Sequence, residues 1–212
     1  MGPASILPKG VNPRSGRESS PRGLKPETKL DKLAGITYYA GKLEQEYATD
    51  PFKHFSNFVK KMLIDKGCSS YVKPRVMDLS IGKLGDLHKY VYAGVNTLVG
   101  IEIGYDNLNN INDGACTRLI EKARVNPAYS KLADRTMLIV GDSTKNIANG
   151  ECAPDNLNKY YLDVLYGNSK GNTSKLKKLE GIARDGFDVI TCMYAIHYMM
   201  NNETELDNVL RN

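Results

Sequence analysis

The stretch RVMDLSIGKLGDLHKY, residues 75–90, decides how the chain folds. Arg75 to Leu79 is short, mostly apolar and closed by small residues, which reads as a buried strand. Ser80 to Gly85 form a turn, and a helix follows through about Tyr92. The same unit recurs. TLVGIEI (97–103) is a second strand, followed by a helix expected over 106–124 with Ile111, Ala115 and Leu119 on one face. A third strand, 137–140, ends in Gly141-Asp142, and a fourth, 187–192, precedes a helix near 203–210. Ahead of them all, residues 51–66 have helical spacing at Phe52, Phe55, Val59, Met62 and Leu63, with Asp50 as N-cap, Pro51 at the first position and Gly67 as the left-handed terminator. Strands alternating with helices make an α/β fold, a doubly wound and mostly parallel sheet covered on both faces. The stretch 153–186 shows little pattern and reads as a surface loop.

Composition narrows the class. With 212 residues the chain suits one domain plus a tail, and 41% hydrophobic with 25% charged residues is ordinary for a globular protein. No apolar run approaches the roughly 20 residues of a membrane helix, and Met1 to Gly10 has no apolar leader core, so no membrane association is expected. The four cysteines, Cys68, Cys116, Cys152 and Cys192, form no C-x-x-C pair, so neither a metal site nor a disulfide framework is expected, and an intracellular location is the simplest reading. Residues 1–36 carry Pro3, Pro8, Pro13, Pro21 and Pro26 among many cations and few acids, and read as a flexible basic tail or linker ahead of a domain at 37–212. The net charge of +5 permits a polyanionic partner without demanding one.

In an open parallel sheet, ligands bind beyond the carboxyl ends of the strands. Four segments bring polar groups there. The first is the turn after Asp78, where Gly82 and Gly85 let the backbone approach a ligand, or merely reverse the chain. Glu102 ends the second strand 17 positions after Gly85, near the roughly 20-residue interval at which an acid meets a ribose diol. Asp142 and Ser143 end the third; there a carboxylate can accept from an exocyclic amine, or simply cap a helix. The fourth strand runs into Met193-Tyr194-Ala195-Ile196-His197-Tyr198, whose rings can stack on a base or flank a sulfonium, or can pack in the core. Turn plus ribose acid serves both nicotinamide and S-adenosylmethionine (SAM) sites. Ser80 stands where the first glycine of G-x-G-x-x-G would be, which favours SAM, with Asp78 placed to help hold its methionine end.

Six stretches together resemble the mRNA cap guanine-N7 methyltransferases, in the flavour of the multifunctional capping enzymes of large DNA viruses. They are FSNFVKKMLI (55–64), residues 76–89, VGIEI (99–103), DGAC (113–116), VGDSTKNI (140–147) and residues 187–198. The resemblance implies a class I, Rossmann-like SAM-dependent methyltransferase fold and transfer of the SAM methyl group to N7 of the cap guanine. It implies SAM binding by Lys60, Asp78, Gly82, Glu102, Asp142 and Ser143, and cap binding by Lys83, Arg118, Tyr194, His197 and Tyr198. No residue is expected to act as an acid or base. The implied partners are capped RNA, other capping domains and a stimulatory subunit. The implied location is the host cytoplasm or virion for a virus, or the nucleus for a cell. The usual D-L-G-C-G-K-G-G-D-L reads with Ser80, Ile81 and Leu84 here, and Ser80 and Leu84 are expected to narrow the SAM channel. Met193 replaces a usual Gln, and with the chain ending at Asn212 soon after the fourth strand, an incomplete C-terminal part of the domain is expected. The alternatives are methylation of another acceptor and a non-catalytic, RNA- or partner-binding relative.

Overall fold

A computed structural model describes residues 50–212. Residues 1–36, the expected domain start at 37, and the side chain of Asp50 with its capping role lie outside the described residues. The elements in chain order are α1 (Asp50–Cys68), β1 (Arg75–Asp78), α2 (Leu87–Tyr92), β2 (Thr97–Glu102), α3 (Tyr105–Asn109), α4 (Ala115–Val125), α5 (Pro127–Ala133), β3 (Thr136–Val140), α6 (Asn156–Tyr166), β4 (Val189–Thr191) and α7 (Glu203–Arg211). One-turn 3₁₀ helices lie at Ser174–Leu176 and Ile196–Met199. The strands form one parallel sheet in the order β3-β2-β1-β4. The order reverses at β1, so the crevice beyond its carboxyl end, between β2 and β4, is the place for a ligand.

Strand residues alternate between two cores, as a period of two requires. Val76, Leu98 and Val140 join Ile64 and Cys68 of α1, Leu87 and Tyr90 of α2, Leu108 and Leu132. Met77, Val99, Ile101, Met137 and Ile139 face the other way, onto Leu162 and Leu165 of α6, Leu179, Ala183 and Val209 of α7. Both faces of the sheet are therefore covered, and β2 is buried along its whole length. Among the described residues no helix is long and apolar enough to cross a membrane.

Several readings differ in the structure. The stretch 153–186 contains α6, capped by the Asp155 carboxylate accepting from Asn158 N and closed by Gly167 at φ 73°, and it supplies Leu162, Leu165, Leu179 and Ala183 to the second core. The expected helix over 106–124 is two helices. Gly114 sits where a Cβ would lie 2.6 Å from Asn110 N, and Ile111, between the two, is 84% exposed. Helix α5 was not expected, although Asn126-Pro127 signals it: Asn126 accepts from Ala128 N and Pro127 takes the first position. Finally, α1 runs through Gly67 instead of ending before it. A Cβ there would lie 3.3 Å from Val189 Cγ1, so this glycine serves helix–strand packing rather than a left-handed cap. The apolar stripe of α1 is also not its packed side: Phe52 is 70% exposed and Phe55, Phe58, Met62 and Leu63 are exposed too, while Ile64 and Cys68 face the core.

Candidate active site

Asp78 is the last residue of β1, paired with Gly100 on one side and Thr191 on the other. Its side chain is buried. Oδ1 accepts from Ser80 N at 2.9 Å, and Oδ2 from the Tyr90 hydroxyl at 2.6 Å, which also lies 3.0 Å from Thr191 Oγ1. Burial pushes the carboxyl up to about 6, against the lowering effect of these two donors. The turn beyond it is drawn onto β2. Ile81 N donates to Ile101 O at 3.0 Å, and Ile81 lies over Gly100, where a Cβ would approach its own Cβ to 2.8 Å.

Gly82 then takes φ 55°, which only glycine adopts without strain, and donates its N–H to Glu102 Oε2 at 2.9 Å. Glu102 Oε1 accepts from Gly104 N at 2.8 Å and Asn107 Nδ2 at 3.0 Å. The acid at the end of β2 thus fastens the first strand-end turn to the second. A carboxylate has about four acceptor positions, so capacity remains for a ligand. Leu84 also has a left-handed backbone, φ 58°, but its side chain is buried in the first core. The expected obstruction of the crevice by Leu84 is therefore corrected: the branched side chain points into the core.

At the end of β3, Asp142 Oδ1 accepts from both Thr144 N (3.0 Å) and Thr144 Oγ1 (2.6 Å), heading a turn and not a helix. The buried Ser143 hydroxyl donates to Leu79 O at 2.7 Å, binding the end of β3 to that of β1. From α1, Lys60 Nζ donates to Asp86 Oδ2 at 2.9 Å and lies 5.5 Å from the centroid of the Tyr194 ring. Tyr194 follows β4 with a left-handed backbone, φ 60°, and an exposed ring.

The residues expected at the cap group into two sets. Lys83 Nζ donates to both oxygens of Asp113 at 2.8 Å, and Arg118 Nε donates to the Asp113 backbone carbonyl at 2.9 Å. The hydrogen bonds from Lys83 hold the Asp113 carboxyl below its ordinary range. His197 and Tyr198 pack against each other, ring centroids 3.9 Å apart, in the 3₁₀ turn after β4, and both are exposed. Asp86, Lys89, Asn57, Tyr90 and Asp113, which bind these groups in place, were not expected. Asp86 and Lys89 had a local signal, being three apart at a helix start. The pairing of Lys83 with Asp113, 30 positions away, had none.

A family model of the mRNA (guanine-N(7))-methyltransferase domain matches residues 45–212. The chain belongs to this family. Its parallel sheet with helices on both faces is the Rossmann-like methyltransferase architecture, and methyl transfer with SAM as donor is the family's chemistry. The chain is 30% identical over 191 residues to a "Probable mRNA-capping enzyme" of Acanthamoeba polyphaga mimivirus, covering 88% of this chain and 14% of that protein. It is also similar to proteins described as "mRNA cap guanine-N(7) methyltransferase". One, from Saccharomyces cerevisiae, is 47% identical over 53 residues, 24% of this chain and 11% of that one. Another, from Eremothecium gossypii, is 35% identical over 75 residues, 34% and 16% respectively. The chain thus spans less than a fifth of the length of each of these relatives.

Proposed function

We propose that the chain carries the methyl-transfer centre of an mRNA-capping activity, moving the methyl group of SAM to N7 of the guanine of a GpppN-ended RNA. The observation that carries this reading is Glu102, held by Gly82 N and Gly104 N between two strand ends of a sheet whose sequence matches the guanine-N7 methyltransferase model. The donor set fits SAM. Buried acids at adjacent strand ends (Asp78, Glu102 and Asp142) suit a diol and amines, and the Lys60 ammonium suits a carboxylate. Gly82 gives the close backbone approach that an adenosine needs.

In this reading Glu102 accepts from a ribose hydroxyl at its remaining position, Asp142 and Ser143 hold the adenine side, and Lys60 and Asp78 hold the methionine end. When bound, SAM supplies a methyl group already activated on a sulfonium. Tyr194, His197 and Tyr198 present ring surface to the guanine, while Lys83 and Arg118 face the phosphates of the cap. Guanine N7 has a lone pair and no proton to lose, so the side chains need only bind and orient. Holding two reactants in line can supply about 7–11 kcal/mol of the barrier. The exposed tyrosine faces favour the cation that develops on the purine. Capped RNA is the partner this mechanism requires, and further capping domains on the same polypeptide, or a stimulatory subunit, are compatible with it.

The test incubates the chain, and a form extended at its C-terminus, with labelled SAM and unmethylated GpppN-capped RNA. Label in the cap guanine supports the reading. Transfer to other acceptors with none to capped RNA overturns the choice of substrate, and failure of both forms to bind SAM overturns the reading as a whole.

A further inference from the structure

Asp86 stands at the N-terminal boundary of α2, yet its carboxylate caps nothing in its own helix. It lies instead between two ammonium groups. Oδ2 accepts from Lys60 Nζ, and Oδ1 accepts from Lys89 Nζ in a short contact. Burial alone would raise the Asp86 carboxyl; the hydrogen bonds from Lys89 and Lys60 hold it below its ordinary range. Lys89 is the unusual member. Its side chain is 1% exposed, and lysine is almost never fully buried without a partner. Its second partner is Asn57 Oδ1 at 2.9 Å, on α1 one turn before Lys60. A lysine has no acceptor, so the amide oxygen must face it. Lys89 therefore grips both the carboxylate that Lys60 uses and the helix that carries Lys60.

The charge count gives this arrangement a consequence. Two cations share one carboxylate, and the third group, Asn57, is neutral. Without Lys89, Lys60 and Asp86 would be a self-neutralised pair. With it, the hydrogen-bonded trio of Lys60, Lys89 and Asp86 carries a surplus of +1, set against the nearby Asp78 carboxylate, and the surplus sits at the trio's exposed end: Lys60 is the more accessible of the two lysines and lies toward the Tyr194 ring beyond β4. Nothing in the packing requires this surplus, because a buried ion pair is on average no better for stability than an apolar contact of the same shape.

We propose that Lys89 is a positioning residue that keeps Lys60 available as an anion receptor, its target being the carboxylate of the methyl donor's amino-acid end. This rests on the SAM reading given above and adds to it a residue that touches no ligand. Lys89 divides Asp86 between two cations, so that Lys60 is oriented by the acid without being neutralised by it.

The test uses calorimetry with two ligands, S-adenosylhomocysteine and 5′-methylthioadenosine. The second keeps the nucleoside and the thioether but lacks the amino-acid end. Lys89→Met removes the surplus charge. Asn57→Asp removes it in another way, at an exposed position, with no change of volume and with Lys89 in place, so the question stays answerable if Lys89→Met does not fold. Each is expected to weaken S-adenosylhomocysteine binding on the order of tenfold while leaving methylthioadenosine unchanged. The double variant Lys89→Met/Asp86→Asn restores the +1 charge and is expected to recover affinity, which a purely structural Lys89 would not allow. Equal loss of both ligands, or no loss from Asn57→Asp, overturns the proposal and leaves the SAM reading standing. An unaltered chain that binds neither ligand overturns both.

Discussion

Asp78 should make the protein less stable as pH rises from about 4 to about 6. Its folded-state value is raised, by burial above all, from 3.8 to about 6. Below pH 3.8 the carboxyl is protonated in both folded and unfolded chains, and its contribution to stability is fully present. Between the two values the unfolded chain ionises first, and folding must take up a proton. Above about 6 the contribution is gone. Two units at about 1.4 kcal/mol each come to about 3 kcal/mol. Asp86 and Asp188 act in the opposite sense: their lowered values contribute stability that is present above the ordinary carboxylate range and lost as pH falls below it. Asp188 is common to the native chain and to Asp78→Asn and cancels in the difference, while Asp86, which repels the Asp78 carboxylate, titrates below the pH range of the Asp78 change. The asparagine keeps one acceptor for the Tyr90 and Ser80 donors and does not titrate, so its cost is the same at every pH. Urea unfolding of both proteins at intervals from pH 4 to pH 7.5 is the assay. Over that range the native chain should lose about 2.4 kcal/mol relative to the variant, a relative shift in midpoint of about 1–2 M at an ordinary urea slope. A difference that is flat with pH, or that favours the native chain as pH rises, would refute the argument that burial outweighs the Tyr90 and Ser80 donors.

The remaining predictions concern the residues around this acid. Glu102→Ala leaves the N–H groups of Gly82 and Gly104 without their acceptor; it should lower stability by about 1–3 kcal/mol and weaken S-adenosylhomocysteine binding by calorimetry, whereas undiminished affinity would remove Glu102 from the site. Gly100→Ala drives a Cβ to 2.8 Å from the Ile81 Cβ and should cost about 1–3 kcal/mol by thermal unfolding, with a smaller loss when Ile81 is also replaced by glycine. His197→Ala should raise the KM for capped RNA and leave the KM for SAM alone, a split read directly from steady-state kinetics. Asp113→Asn removes the carboxylate that holds Lys83 and should strengthen RNA binding a few-fold, with a steeper dependence on salt; weaker binding would show that the pair positions Lys83 for RNA.

Much of this fold is legible in the sequence. Each strand is a short apolar run closed by small or acidic residues, and that local pattern is enough to find β1 to β4 and to place Asp78, Glu102 and Asp142 at their ends. The pattern failed where local signals conflict with the surroundings. The stretch 153–186 carries a good cap at Asp155 and a left-handed Gly167, but its Lys-, Asn- and Gly-rich second half obscured α6, whose apolar side matters only once it is packed on the sheet. Around 110–114 the helical spacing persists in sequence while Gly114, close-packed on Asn110, breaks the helix in space.

Chemistry of the strand ends, then, was settled by the chain's own order of residues, because a strand's last residues must lie at its carboxyl edge whatever packs around them. Partnership was not. Whether Lys83 meets Asp113, whether Asp86 caps its helix or is shared by two lysines, and which side of α1 faces the sheet all depend on distances between segments tens of residues apart. Such distances follow from how helices are seated on the sheet, a property of the packed whole that no single stretch encodes.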